Sequence, residues 1–161
     1  MGLVKVIGRP CGTLLRKAAG LMVLVFMLPL AVVANSSLVN VDADQIAASG
    51  YDLLGYFDGR VELGSKDFAT RHQGATYLFS TAAHLALFKA DPQRYLPAYG
   101  GYCAYGISMG KRLSIDPASY EIVAGRLYFL LNRVTKKIWL LDQGLNIARA
   151  DRLWRDMEQA Q

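Results

Sequence analysis

The segment Tyr95-Leu96-Pro97-Ala98-Tyr99-Gly100-Gly101-Tyr102-Cys103-Ala104-Tyr105-Gly106 concentrates the side chains with chemical capacity. It holds four of the nine tyrosines and one of the two cysteines. Tyrosines gathered this way either pack a loop onto a sheet with their hydroxyls satisfied locally, or wall a patch. In the second case Tyr99, Tyr102 and Tyr105 would meet a small ligand or a protein partner. Cys103 falls one or two residues inside a helix predicted from Tyr102 to about Met109. Unpaired N–H groups and the helix dipole favour a thiolate there. A thiolate would be a soft-metal ligand or a nucleophile; the competing role is that of a small buried hydrophobe.

The only imidazoles are His72 and His84. His72 is predicted near the exposed tip of a hairpin. His84 is predicted on the helix that follows, four residues after Ser80 and so on the same face. Cys103 with His84 suits a soft or borderline ion, copper(I) above all if the thiol ionises, with zinc the other candidate. These are too few ligands for a closed structural zinc site, which takes four. The enzymatic alternative is Cys103 as nucleophile with His84 as base. No hydrolase elbow, phosphate loop or dinucleotide fingerprint accompanies it: Gly100-Gly101-Tyr102 lacks the remaining glycines and a following Lys-Ser or Lys-Thr. Met109, six residues after Cys103, would face away from the thiol on a regular helix and reads as core or surface.

The elements that must position these residues follow from local pattern. Residues 35–49 read as an extended lead-in with a short helix near Ala43–Ala48. Gly50 to Phe57 is a compact aromatic stretch between glycine hinges, Asp58-Gly59 a turn, and Arg60–Leu63 a short strand. Asp67–Arg71 and Ala75–Ser80 flank Gln73-Gly74 as a hairpin. Ser80 or Thr81 caps a helix to about Ala90, whose stripe is Leu85, Phe88 and alanines. Asp91-Pro92 ends it and opens a turn through Tyr95. Residues 111–118 read as irregular, and Tyr120–Val123 with Arg126–Leu131 as a second hairpin around Ala124-Gly125. Thr135–Met157 is helical with a break at Gly144. Hairpins followed by helices, without βαβ alternation, indicate an α+β fold. No internal repeat is legible.

The chain holds 18 Lys and Arg against 13 Asp and Glu. Four of those bases (Lys5, Arg9, Arg16 and Lys17) and none of the acids fall in residues 1–34. The remainder is close to neutral, which removes the electrostatic argument for nucleic acid. Residues 1–34 have the order of an export leader: a basic stretch to Lys17, an apolar run from Ala18 to Ala31, then Val32-Val33-Ala34 ahead of polar Asn35-Ser36-Ser37. The apolar run is short for a span and carries Pro29. The expectation is a signal peptide cleaved after Ala34, with an uncleaved anchor as the alternative. Either way the domain lies outside the cytoplasm, periplasmic or secreted, where Cys103 is the only thiol left once Cys11 is removed.

A longer ordered series adds a resemblance. Gly50-Tyr51-Asp52…Tyr56-Phe57, Gly64-Ser65…Phe68, Gly74-Ala75-Thr76-Tyr77-Leu78-Phe79, Phe88…Asp91-Pro92…Arg94-Tyr95, Gly100 to Gly106, and Asp116-Pro117…Tyr120…Ile122-Val123…Gly125-Arg126-Leu127-Tyr128 together resemble bacterial YHS-domain proteins of the exported, free-standing type. The resemblance covers about residues 50–155, leaving residues 156–161 as a tail. It implies a small treble-clef-like fold with two β-hairpins packed against short helices and a helical C-terminal tail. It also implies association with a metal ion, and the preferred reading is a non-enzymatic module. YHS modules attached to copper-type transport ATPases carry Tyr-x-Phe-Cys-x-x-x-Cys; the matching positions here are Ser80 and His84. The cysteine pair is therefore absent, and His84 keeps a partial ligand capacity.

Overall fold

The computed structural model describes residues 1–3 and 38–160. The predicted leader and its cleavage point lie outside these residues, apart from its first three. The described domain is mixed α+β, with two antiparallel two-stranded sheets among helices. Among the described residues no helix is long and apolar enough to cross a membrane.

The first hairpin joins β1 (Ser65–His72) to β2 (Ala75–Phe79), and the second joins β3 (Asp116–Val123) to β4 (Arg126–Leu130). Their two-residue tips, Gln73-Gly74 and Ala124-Gly125, have positive φ at both positions. That is the turn geometry whose twist matches antiparallel strands. Each long first strand slips register midway, between Ser65 and Ala69 and between Asp116 and Tyr120. Thr81 caps α2 (Ala82–Ala90) and Asn132 caps α5 (Arg133–Leu141), each accepting from a backbone N–H three residues on. Asp91 caps α3 (Pro92–Tyr95), and Asp142 caps α6 (Gln143–Gln159). Ahead of each hairpin stands a five-residue helix, α1 (Leu53–Phe57) and α4 (Ala104–Ser108), capped by Asp52 and Cys103.

These pairs reveal a tandem repeat. Every element from α1 to the start of α3 returns 51 positions later, as 52 does at 103 and 81 at 132. The hydrogen bonds return as well. Asp52 N–H donates to the Glu62 carbonyl (3.0 Å) as Cys103 N–H does to Leu113 (3.1 Å), and Arg60 N–H to Gly55 (2.7 Å) as Lys111 N–H to Gly106 (2.9 Å). Three consecutive residues of positive φ precede each short helix: Ala48-Ser49-Gly50, and Tyr99-Gly100-Gly101. The reading of no internal repeat is therefore corrected. From residue 47 to 91 the residues identical with their counterparts are Ala47, Gly50, Tyr51, Gly55, Gly59, Gly74, Tyr77 and Asp91. Most are turn and close-approach positions, where backbone geometry restricts the residue; the packing faces have diverged.

Each repeat has its own core. The first gathers Leu53, Leu54, Tyr56, Tyr77, Phe79 and Phe88, and Leu127 and Phe129 of β4 pack into it. The second gathers Tyr99, Cys103, Ile107, Tyr128, Leu130 and Trp139, closed by Ala150 and Trp154 of α6. The strand alternation of β4 thus stitches the two cores together, with successive side chains on opposite faces.

Several local expectations change. Ala43–Ala48 is not a helix: Asp42 Oδ1 accepts from the N–H groups of Asp44 and Ile46, and this turn competes with helix. Of Arg60–Leu63 only Leu63 pairs, with Tyr51. β3 begins at Asp116, inside the stretch read as irregular. The C-terminal break falls at Asp142 rather than Gly144, because the carboxylate caps α6 by accepting from Leu145 N–H (3.2 Å). α4 starts at Ala104, which makes Cys103 its cap rather than an internal residue.

Gly106 is buried at the turn of its short helix, and a Cβ there would lie 2.9 Å from the Lys111 carbonyl and 3.0 Å from Leu113 Cγ. Gly144 has open space around its missing Cβ, inside α6. Gly106→Ala should therefore cost about 2 kcal/mol or more, whereas Gly144→Ala should gain about 0.5–1 kcal/mol. Thermal unfolding followed by circular dichroism would separate the two in sign.

Candidate metal site

Asp52 is fully buried and is the most heavily bonded side chain of the first repeat. Its Oδ1 accepts from Leu54 N–H (2.9 Å). Its Oδ2 accepts from Ser80 N–H (2.8 Å), Ser80 Oγ (2.7 Å) and His84 Nδ1 (2.6 Å). One carboxylate thus ties the start of α1 to the end of β2 and to α2. Burial pushes the carboxyl pKa up, but the donors from Ser80, His84 and Leu54 outweigh it and hold the group below its ordinary value.

With Nδ1 against Asp52 Oδ2, a neutral ring would donate through Nδ1 and carry its lone pair on Nε2. Nε2 lies 3.5 Å from Arg60 Nη2 and 3.8 Å from Asp58 Oδ2. The Arg60 guanidinium also pairs with Asp58 (3.1 Å) and lies 3.6 Å from Glu62 Oε1. Glu62 Oε1 is within 3.1 Å of Ser80 Oγ. Asp52, Glu62 and His84 each offer a ligand atom within 4.8 Å of the others. Ser80, His84 and Asp52 are the residue types of an acyl-transfer triad, but they are wired differently. Ser80 Oγ and His84 Nδ1 donate to the same Asp52 oxygen, so the hydroxyl does not meet Nε2.

The second repeat supplies an internal comparison. Cys103 stands at the counterpart of Asp52 and makes the same fold contacts: its Sγ accepts from Gly106 N–H (3.4 Å) and Leu131 N–H (3.2 Å). Leu131, Thr135 and Leu113 stand where the first repeat has Ser80, His84 and Glu62. A weak sulfur acceptor among apolar neighbours is thus enough to build the socket. Cys103 is completely buried in the second core, while His84 belongs to the first repeat's polar cluster; the group of potential ligands found among the described residues is Asp52, Glu62 and His84, without Cys103. His72, predicted exposed, is half-buried with its ring edge-on to Tyr77 and Phe88. Met109 lies exposed after α4.

The tyrosines divide. Tyr99 is buried, and its hydroxyl donates to Asp151 Oδ1 (3.0 Å), with Trp154 and Tyr128 against its ring. Burial first, and then the Asp151 charge, push its phenol pKa up. Tyr102 packs on Trp154, and Tyr105 is half-buried against the second core. Of the three, Tyr99 lines a cleft of about 530 Å³, whose wall includes Arg94, Arg126 and Trp154.

Comparison of the chain with protein-family models, curated proteins and solved structures finds no match. Of the polar cluster, sequence reasoning reached His84 and Ser80 by their spacing. It missed Asp52, Asp58, Arg60 and Glu62. A signal for Asp52 was present, as an Asp directly before the short apolar run Leu53-Leu54, which is an N-cap pattern.

Two outcomes follow from burial. Asp52→Asn should lower stability by roughly 3 kcal/mol at neutral pH. Since the folded carboxyl pKa is depressed, the stabilisation is present above the unfolded value of 3.8 and fades as pH falls through the folded value. Urea unfolding should therefore show the wild-type and Asp52→Asn curves converging below about pH 4. Iodoacetamide should label Cys103 at least about a hundredfold more slowly in the native protein than in denaturant, read by peptide mass spectrometry.

Proposed function

We propose that the chain is an exported YHS-type domain whose first repeat holds a divalent metal ion at His84. The observation that carries this reading is the contrast between the repeats. Both build the same capped socket, yet only the first surrounds it with an imidazole and carboxylates, which the fold itself does not require. A short capped helix leading into a hairpin and a helix is in keeping with a treble-clef relationship.

In this reading Asp52 holds Nδ1–H and aims Nε2 outward, the arrangement in which a carboxylate orients a ligating histidine. Glu62 and Asp58 supply the negative charge around it. The Arg60 guanidinium lies among these three groups, a cation in the place where a metal ion would be held, and would swing out on loading. One imidazole with carboxylates favours zinc or copper(II) over copper(I), whose soft preference rested on the thiolate of Cys103. A bound ion would supply a Lewis-acidic centre with coordination positions left open. The domain would work outside the cytoplasm, in the periplasm or secreted, or held there by an uncleaved leader.

Titration calorimetry of the full chain with zinc and with copper(II) tests this. His84→Ala and Glu62→Gln should each weaken binding at least about tenfold, and Cys103→Ser should leave it unchanged. Wild-type affinity no higher than that of a folded His84→Ala chain would remove the site. Loss on Cys103→Ser alone would return the thiol to it.

The cleft at Tyr99 favours a second reading, in which the domain binds a small ligand. Quenching or shift of Trp154 emission by that ligand, lost in Arg126→Ala with Trp154 in place, would support it.

A further inference from the structure

Helix α5 turns an apolar face to solvent. Val134, Ile138, Leu140 and Leu141 are all exposed, Val134 at 67% and Leu141 at 85%; Val134, Ile138 and Leu141 share one face by their spacing, and Leu145 at the start of α6 is exposed as well. Elsewhere in residues 38–160 the exposed large apolar residues are Val61, Leu63, Leu87 and Met109, which are scattered singly. Single exposed residues are ordinary on a protein surface, whereas a contiguous row marks an interaction surface.

The repeat shows that the fold does not demand this face. The counterpart helix α2 carries Ala83, Leu87, Lys89 and Ala90 where α5 carries Val134, Ile138, Leu140 and Leu141. It carries Ala82 and Ala86 where α5 has the exposed bases Arg133 and Lys137. So the outer face of α5 carries more apolar bulk and more positive charge than its counterpart. α5 contains no acid. Its third base, Lys136, turns inward to Glu121 (2.9 Å) and the Tyr120 carbonyl (2.8 Å). The neighbouring exposed acid, Asp142, caps α6. Exposed Arg149 and Arg152 follow Leu145 at helical spacing on α6.

We propose that the outer face of α5 docks on an anionic lipid bilayer, with Val134, Ile138, Leu141 and Leu145 entering the interface and Arg133 and Lys137 meeting headgroups. A nine-residue helix, about 14 Å long, lies along such an interface rather than crossing it. A second copy of the chain fits less well. A two-fold contact would set Arg133 and Lys137 against the same charges. The proposal does not depend on the metal site.

The test places an environment-sensitive NBD fluorophore on the full chain through Leu141→Cys, with Cys11→Ser and Cys103 left buried. Vesicles of phosphatidylcholine alone, or mixed with phosphatidylglycerol, are then added. Emission should rise and shift to the blue with the anionic vesicles, and adding Arg133→Glu and Lys137→Glu should raise the lipid needed by roughly tenfold or more. A probe at Lys89→Cys, on the matching face of α2, should stay water-like. That separates docking of α5 from tethering by the leader. A water-like probe at position 141 in anionic vesicles would overturn the proposal, as would equal shifts at both sites. So would a shift arising without lipid alongside dimers in sedimentation, which would assign the face to a second copy.

Discussion

One buried carboxylate organises the first half of this domain. Asp52 accepts from α1, from the end of β2 and from α2, so three elements share a single buried charge. A charge in that setting is tolerable only when fully hydrogen-bonded. The geometry of Ser80 and His84 is therefore as tightly specified as that of Asp52 itself. Whatever His84 does at Nε2 is done by a ring whose other nitrogen is already committed.

The tandem repeat separates what the architecture needs from what has been added. The socket needs an acceptor at the cap, a glycine where Arg60 or Lys111 folds back, and a positive-φ stretch before the helix. The second repeat meets these needs with sulfur and apolar neighbours and buries them under α6. The first meets them with oxygen and nitrogen and leaves Arg60, Asp58 and part of Glu62 open to solvent. The same reasoning works on the outer helices, where α2 keeps small residues and α5 does not. Both candidate surfaces are departures of one copy from the other.

Much of the site was out of reach of local reasoning because its members come from three separated stretches: 52, 58 to 62, and 80 to 84. Ser80 and His84 were picked out by their four-residue spacing as one helical face, but Ser80 lies ahead of the Thr81 cap and the two meet at the Asp52 carboxylate instead. Cys103 drew attention as a helix-end thiol. Its depth was not legible, because burial depends on α6 and β4 folding over it. The tyrosines of residues 95–106 read either as loop packing or as a patch; in the structure Tyr99 turns inward to Asp151 while Tyr102 and Tyr105 pack at the margin.

The amino-acid sequence by itself determined the hairpins, their Gln73-Gly74 and Ala124-Gly125 tips, the capped helix after the first, the helical tail after the second and hence the α+β class. These are short-range features, settled by periodicity and by the backbone freedom of a few residues. Only the tertiary structure decided that the two halves are one design used twice, since it keeps backbone geometry at positions where the side chains have changed. It alone placed Asp52 beneath His84 and Cys103 in a separate apolar core, because burial and charge pairing depend on which chain segments meet in space.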